Sequence, residues 1–465
     1  MTNFWDYSVW GGVNLVAVLL LSLLAANLLK KSFRFFRASL IPTSVLGGVM
    51  LLIIAAIYKA ATGTPLFDTA FFGGNGYADL EVITYHALAL GFIATSLRSN
   101  EQKLTKKRNI EIFNTGVTTV SAYLIQAVAG LGITIAAAAL LGKIFDAAGM
   151  LLPFGYGQGT GQAMNYGNIY ELEYGFEGGK SFGLTIAALG FLSASIGGVI
   201  HLNILRRKRG YTDIVRGGTE LTMGDFQGKN EISLNGSIDK LTIQIALIGL
   251  SYWMAYFLMV LLGKLLPGMQ SVIYGFNFLF GVLMAALLKT IMKLLKKTGI
   301  MKREYINGFM MSRLGGVFFD IMVVAGIAAI RLDMLKDNWA IILVLGVVGL
   351  IITYFYVRLV CTKLFKEYQE EQFLAMYGML TGTASTGVIL LRELDPNFRT
   401  PVADNLVYQQ FPAIVFGFPM MLLATLAPKQ PMLTLIILVG FFLVMNLILF
   451  RSFIFKKTKT KTEQT

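Results

Sequence analysis

Cysteine, histidine and charge are the scarce elements of this sequence. Cys361 stands alone among 465 residues, which excludes an internal disulfide framework and a multi-cysteine metal site. In an apolar run it reads as a small packing residue. His86 and His201 are the whole histidine complement, too few for a His-rich metal centre. Charged residues make up 14 % of the chain, less than a soluble surface requires. No Walker A loop, H-E-x-x-H pair or haem attachment motif appears, so ATP-driven transport and metalloprotease or haem chemistry are not expected. The net charge of +14 sits in short clusters between apolar spans rather than on one face, which argues against nucleic-acid binding. The first residues, MTNFWDYSVW, carry no Lys or Arg, and the cluster KKSFRFFR follows the first span. That order predicts an uncleaved first helix with its N-terminus outside.

Apolar residues are what the chain has in quantity: 55 % of it, with a mean hydropathy of +0.65. The pattern predicts an all-α polytopic membrane protein with eleven spans, at 10–29, 41–61, 83–98, 112–141, 182–204, 241–265, 271–292, 309–331, 339–361, 404–427 and 431–450. Basic clusters fall in alternate loops: Lys30 to Arg37, Lys103 to Arg108, Arg206 to Arg209, Lys293 to Arg303, Lys363 and Lys366, and the tail from Arg451. The loops between, such as 62–82, are poor in them. This alternation places the C-terminus in the cytoplasm of a cell-membrane protein.

Two apolar segments resist reading as spans. YGQGTGQA (156–163) and YGMLTGTA (377–384) share five of eight positions, and both break their neighbourhoods with glycine and small polar residues. They are read as re-entrant hairpins at about 150–167 and 373–392. Residues 1–204 hold five spans and one hairpin, and residues 241–427 hold the same. An odd number of spans inverts the second half, giving an inverted-topology repeat, with 205–240 a cytoplasmic linker and 428–465 an extra span and basic tail.

Broken helices at mid-membrane offer N–H ends to anions and carbonyl ends to Na⁺. Gln158, Thr160, Gln162 and Asn165 of the first tip and Thr381, Thr383, Ser385 and Thr386 of the second are neutral hydrogen-bonding groups suited to an amino-acid-like solute. Asp320, well inside the eighth span, reads as a coupling-cation ligand, with pairing to a buried base or a protonated structural role as alternatives. Gln126 and Asn277 fit interhelical hydrogen bonds, and His86 fits an interfacial position. Arg98, Arg313, Arg331 and Arg392 lie where snorkelling is the default; if one serves an anionic solute, Arg392 is favoured.

The stretches PFGYGQGTGQAMNYG with SFGLTIAALGFLSASIGGVI, and GMLTGTASTGVILLRELDP with FPAIVFGFPMMLL, resemble the two hairpins and following helices of the bacterial sodium:glutamate symporter family. That resemblance implies Na⁺-coupled uptake of glutamate or a similar amino acid or dicarboxylate, a homodimer, and hairpins that travel with a transport domain in an elevator-like cycle. It further implies that Gly157, Gly159, Gly161, Gly378, Gly382 and Gly387 are bend residues, and that their Thr, Gln and Ser neighbours contact solute or ion, with Gly157 and Gly378 on the cation side. The family's first tip is similar to Gly-Gly-His-Gly-Thr; here Gln158 stands at the His position, and the eleventh span is additional. A citrate-like carboxylate transporter would share the architecture and want arginines in the site. An ion channel with paired re-entrant loops and a membrane-embedded enzyme are the readings of other classes.

Overall fold

The computed structural model describes residues 3–98, 105–142, 144–209, 239–395 and 399–454. Most of the expected linker and the end of the basic tail lie outside the described residues.

Uninterrupted runs of Leu, Ile, Val and Ala build long helices whose starts are set by polar caps. Thr105 accepts from the Arg108 N–H, Asp239 from those of Leu241 and Thr242, and Asn307 from that of Met310. The long helices are α1 (Tyr7–Ser32), α2 (Thr43–Thr62), α3 (Gly76–Leu97) and α4 (Lys106–Leu141), then, past a first broken segment, α6 (Gly179–Arg209), α7 (Lys240–Leu265), α8 (Asn277–Lys297), α9 (Gly308–Ala328) and α10 (Trp339–Leu364). After a second broken segment come the bent pair α13 (Val402–Tyr408) and α14 (Gln410–Leu426), and finally α15 (Pro431–Leu449). Among the described residues, ten helices are long and apolar enough to cross a bilayer, or eleven with the bent pair as one span. The outward faces of α7, α10 and α15 carry Trp253, Phe257, Phe355, Leu443 and Leu447 in the open, as a lipid solvent allows. The protein is an all-helical, multi-pass membrane protein.

The third span begins seven residues earlier than the hydropathy suggests, at Gly76. Asp79 and Glu81 lower the local hydropathy without interrupting the helix, because Glu81 pairs with Lys180 at 2.8 Å. The seventh is broken near its start, a short helix Gln270–Gly275 meeting α8 at Phe276.

Two bundles result. In one, α3 and α9 cross at the centre, α2 lies on α9 and α8 on α3, with α1 against α2 and α7 against α8. In the other, α6 packs on α10 and α14 on α4, while the first broken segment packs on α4 and the second on α10. Helix α15 covers α4.

The broken segments are too short to cross a membrane. The first comprises Asp146–Met150, Leu151–Pro153 and a π-helical turn Phe154–Gln158, then α5 (Thr160–Tyr174). The second is α11 (Gln369–Thr381) and α12 (Ala384–Arg392). Thirteen residues of α11 rise about 20 Å against a hydrocarbon core of about 30 Å. Both fold back on themselves: Phe154 stacks on Tyr166 at 3.9 Å, and Gly378 packs on the backbone of Gly387.

Helix α6 lets both segments approach. A Cβ added at Gly183 would lie 2.3 Å from the Ala163 carbonyl oxygen of the first segment, and one at Gly190 would lie 2.4 Å from that of Thr381 in the second. Replacing Gly190 with Val should therefore cost about 1–3 kcal/mol of overpacking. The expected outcome is a clear fall in the melting temperature of the detergent-solubilised protein, with none for Gly249→Val, whose Cβ meets open space.

Candidate functional site

The two breaks meet. The first falls at Gly159, whose backbone (φ 85°, ψ −172°) is nearly glycine-only. A Cβ there would sit 3.5 Å from Thr383 Cγ2, 3.9 Å from the Gly382 carbonyl oxygen and 3.9 Å from Met322 Cε of α9. The second break runs through Gly382 (φ −141°, ψ −106°) and Thr383. Only these two of the six expected bend glycines bend the chain. Gly157 fits under the Tyr123 ring, Gly161 against Leu88, Gly378 against the Gly387 backbone, and Gly387 against the Ala375 carbonyl.

Hydrogen bonds hold the breaks in place. Tyr123 donates to the Gly157 carbonyl at 3.0 Å, and Gln126 donates to Thr353 at 2.8 Å and to the Leu380 carbonyl at 3.0 Å. Tyr156 reaches the Gly346 carbonyl and Tyr377 that of Ser193. Tyr166, Tyr170 and Tyr174, a turn apart on α5, donate to the carbonyls of Met421, Ala424 and Thr425 in the last turns of α14. At the close of the second segment Asp395 takes the N–H groups of Arg399 and Thr400 and the Thr400 hydroxyl. Burial pushes its carboxyl up, but these bonds and the Arg399 charge outweigh burial and hold it below the usual carboxylate value.

Between the bundles, at the breaks, lies a cavity of about 140 Å³. Phe92, Phe278, Phe319 and Met322 face it from one bundle. Tyr123, Gly157, Gln158, Met379, Gly382, Thr383, Gln409 and Phe418 face it from the other. Its described lining holds no Asp, Glu, Lys or Arg. Helix α5 begins beside it with no side-chain cap, so the N–H groups of its first turn lack that partner. Helix α12 also begins there, capped by Thr383 onto the Thr386 N–H.

A second cavity, of about 570 Å³, lies between α5 and α3, lined by Glu81, Tyr85, Asn165, Asn168, Lys180, Ser271 and Tyr274. An amide series connects the two. Asn165 donates to Gln162 Oε1 at 3.1 Å, and Gln162 donates to Gln158 Oε1 at 3.4 Å. Asn165 also donates to the Gly275 carbonyl at the break beside α8.

The expected site residues thus divide. Gly157, Gln158, Gly382 and Thr383 line the cavity between the bundles. Thr160 is buried, with its hydroxyl on the Met322 carbonyl at 3.4 Å, and Thr381 bonds back to the Tyr377 carbonyl. Gln162 and Asn165 belong to the amide series, and Thr386 to the α12 cap. The side chain of Ser385 lies outside the described residues. Arg392 is exposed at the far end of α12, and Asp320 turns away from the cavity toward Ser44 although Phe319 beside it lines the wall. Asn277 donates to the Tyr85 carbonyl, and His86 meets Tyr252.

Two features escaped the sequence reading. Gln409, at the bend between α13 and α14, falls within the expected span 404–427 with nothing to single it out. Glu370 receives both Arg358 nitrogens, at 2.5 and 2.9 Å, and His201 at 2.9 Å, joining α11, α10 and α6 at the base of the second segment. Arg358 and His201, each inside a span, were the available signal. The stretch Gly179–Gly183 also spells G-x-S-x-G. Ser181 sits in the first turn of α6 rather than on a strand-to-helix elbow, and its hydroxyl accepts the Arg331 N–H.

Compared with known proteins, the chain matches no family model and no curated protein.

A side chain at Gly159 has room but not the backbone angles. Gly159→Ala should destabilise the protein by about 1–3 kcal/mol, read as a lower melting temperature in detergent. An unchanged melting curve would show that the break does not depend on this conformation.

Proposed function

We propose that the protein is a cation-coupled secondary active transporter that moves a small carboxylate-bearing solute by alternating access. The meeting of the two breaks at a cavity between two bundles carries this reading. Such a cavity opens to either face if one bundle slides or rocks against the other.

Several observations support it. Three packings of the first half have counterparts in the second: α1 on α2 with α7 on α8, α2 on α9 with α8 on α3, α14 on α4 with α6 on α10. That correspondence is what an inverted repeat produces, and the broken segments then take the place of re-entrant hairpins entering from opposite faces. Basic clusters in alternate loops put the N-terminus outside and the C-terminus in the cytoplasm. In that orientation the larger cavity, with Glu81 and Lys180, is an outer vestibule.

The coupling ion in this reading is Na⁺, held by backbone carbonyls at the breaks, since Asp320 does not face the cavity. The uncapped first turn of α5 is the seat for the solute's carboxylate. A citrate-like substrate is disfavoured, because no described arginine or lysine lines the cavity.

Uptake of radiolabelled amino acids and dicarboxylates into proteoliposomes, with and without an inward Na⁺ gradient, tests the proposal. Saturable, gradient-driven uptake of at least one solute is expected, with at least a tenfold loss in Thr383→Val at unchanged membrane insertion. Passive flux without saturation, or no uptake under any cation gradient, would overturn it.

A further inference from the structure

We propose that a basic pocket at the end of α8 is a binding site for the phosphate headgroup of an anionic phospholipid. The proposal stands on the membrane-spanning fold and does not depend on what the protein transports.

The pocket has a volume of about 570 Å³. One face of α8 lines it, together with the segment 298–307 that leads to α9 and Ser96 at the end of α3. Lys289, Lys293, Lys296 and Arg303 are in the lining, against one acid, Glu304. The three lysines are four and three residues apart, so they share a helix face. Gln244 of α7 ties down the segment that carries Arg303 and Glu304. It donates to the Tyr305 carbonyl at 2.8 Å and accepts the Asn307 N–H at 2.9 Å.

Most of this charge is unpaired. Lys296 pairs with Glu304. Lys289 donates to the carbonyls of Ser96, at 3.1 Å, and Arg98, at 2.9 Å, where α3 runs out of helical partners. Among the described residues, no carboxylate lies within ion-pair distance of Lys289, Lys293 or Arg303. Topology selection accounts for basic residues between spans. It does not call for a lysine inside the expected span 271–292, where Lys289 lies, nor for three chain segments to gather around one pocket.

The surroundings favour a lipid over free phosphate. Ala286 and Val282, one and two turns from Lys289 toward the middle of α8, also line the pocket. Leu283, Leu287 and Leu294 are exposed on the adjoining face of the same helix. Acyl chains lying along that face put a phosphodiester beside the lysines, and each cation at the membrane surface adds to the attraction. A free phosphate gains nothing from the apolar face, and a choline headgroup brings a cation of its own into the pocket.

The test titrates the purified full-length protein, in an uncharged detergent, with phosphatidylglycerol, phosphatidylcholine of the same chains, and inorganic phosphate. Binding is read by native mass spectrometry and thermal shift. Phosphatidylglycerol should bind saturably, raise the melting temperature and bind at least tenfold more tightly than the other two, an advantage that shrinks as NaCl rises. The double variant Lys293→Gln/Arg303→Gln should weaken it at least fivefold. Lys297→Gln/Lys302→Gln, two nearby exposed lysines outside the lining, should leave it unchanged. Should the first variant melt early without lipid, the ranking on the unaltered protein and its salt dependence decide. Equal binding of the two lipids, equal losses in the two double variants, or inorganic phosphate binding as tightly as phosphatidylglycerol would overturn the proposal.

Discussion

A peptide group inside a bilayer has no water to turn to, and each one left unpaired costs several kcal/mol. That constraint organises this molecule. Its two broken segments interrupt helical pairing among apolar helices, and protein encloses them. From Leu151 to Tyr170 every residue but Gln158 and Asn168 is buried, and from Gln372 to Thr381 every residue is. The enclosure has two components. Glycines on α6 bring backbone against backbone, and hydroxyls and amides from Tyr123, Gln126, Tyr156 and Tyr377 complete carbonyls at and around the breaks. Removing either leaves polar groups facing nothing.

What was legible in the sequence follows the same physics. Spans were legible because twenty apolar residues in a row have few other uses, and the bent pair α13–α14 occupies the tenth predicted span. The breaks were legible because Gly, Thr and Gln in a greasy neighbourhood demand a reason. Facing was not. Hydropathy gives depth along a helix but not azimuth, so Asp320 and Phe319 looked equally central, yet only the phenylalanine reaches the cavity. Gln409 hid because a glutamine at a span's start is unremarkable until the chain bends there. The Arg358–Glu370–His201 cluster hid because its members come from three elements far apart in sequence.

The chemistry of the cavity is one of dipoles rather than ions. Helix N-termini, amides and aromatic faces surround it, and charged side chains stand one layer out, in the Glu81–Lys180 and Glu370–Arg358 pairs. An uncharged lining strands no charge when the cavity is empty, which suits the proposed carrier. The amides from Asn165 to Gln158 carry a run of uncharged hydrogen-bonding groups from this cavity to the second.

The central claim is that one site at the meeting of the breaks faces each side of the membrane in turn. Thr383→Cys, in a Cys361→Ala background, places a single thiol at that site. Its labelling by a membrane-impermeant maleimide can be followed in right-side-out and inside-out vesicles. The account predicts labelling from both faces, with protection by solute and a shift of the balance by Na⁺. Labelling from one face alone, whatever the solute or ion, would contradict it.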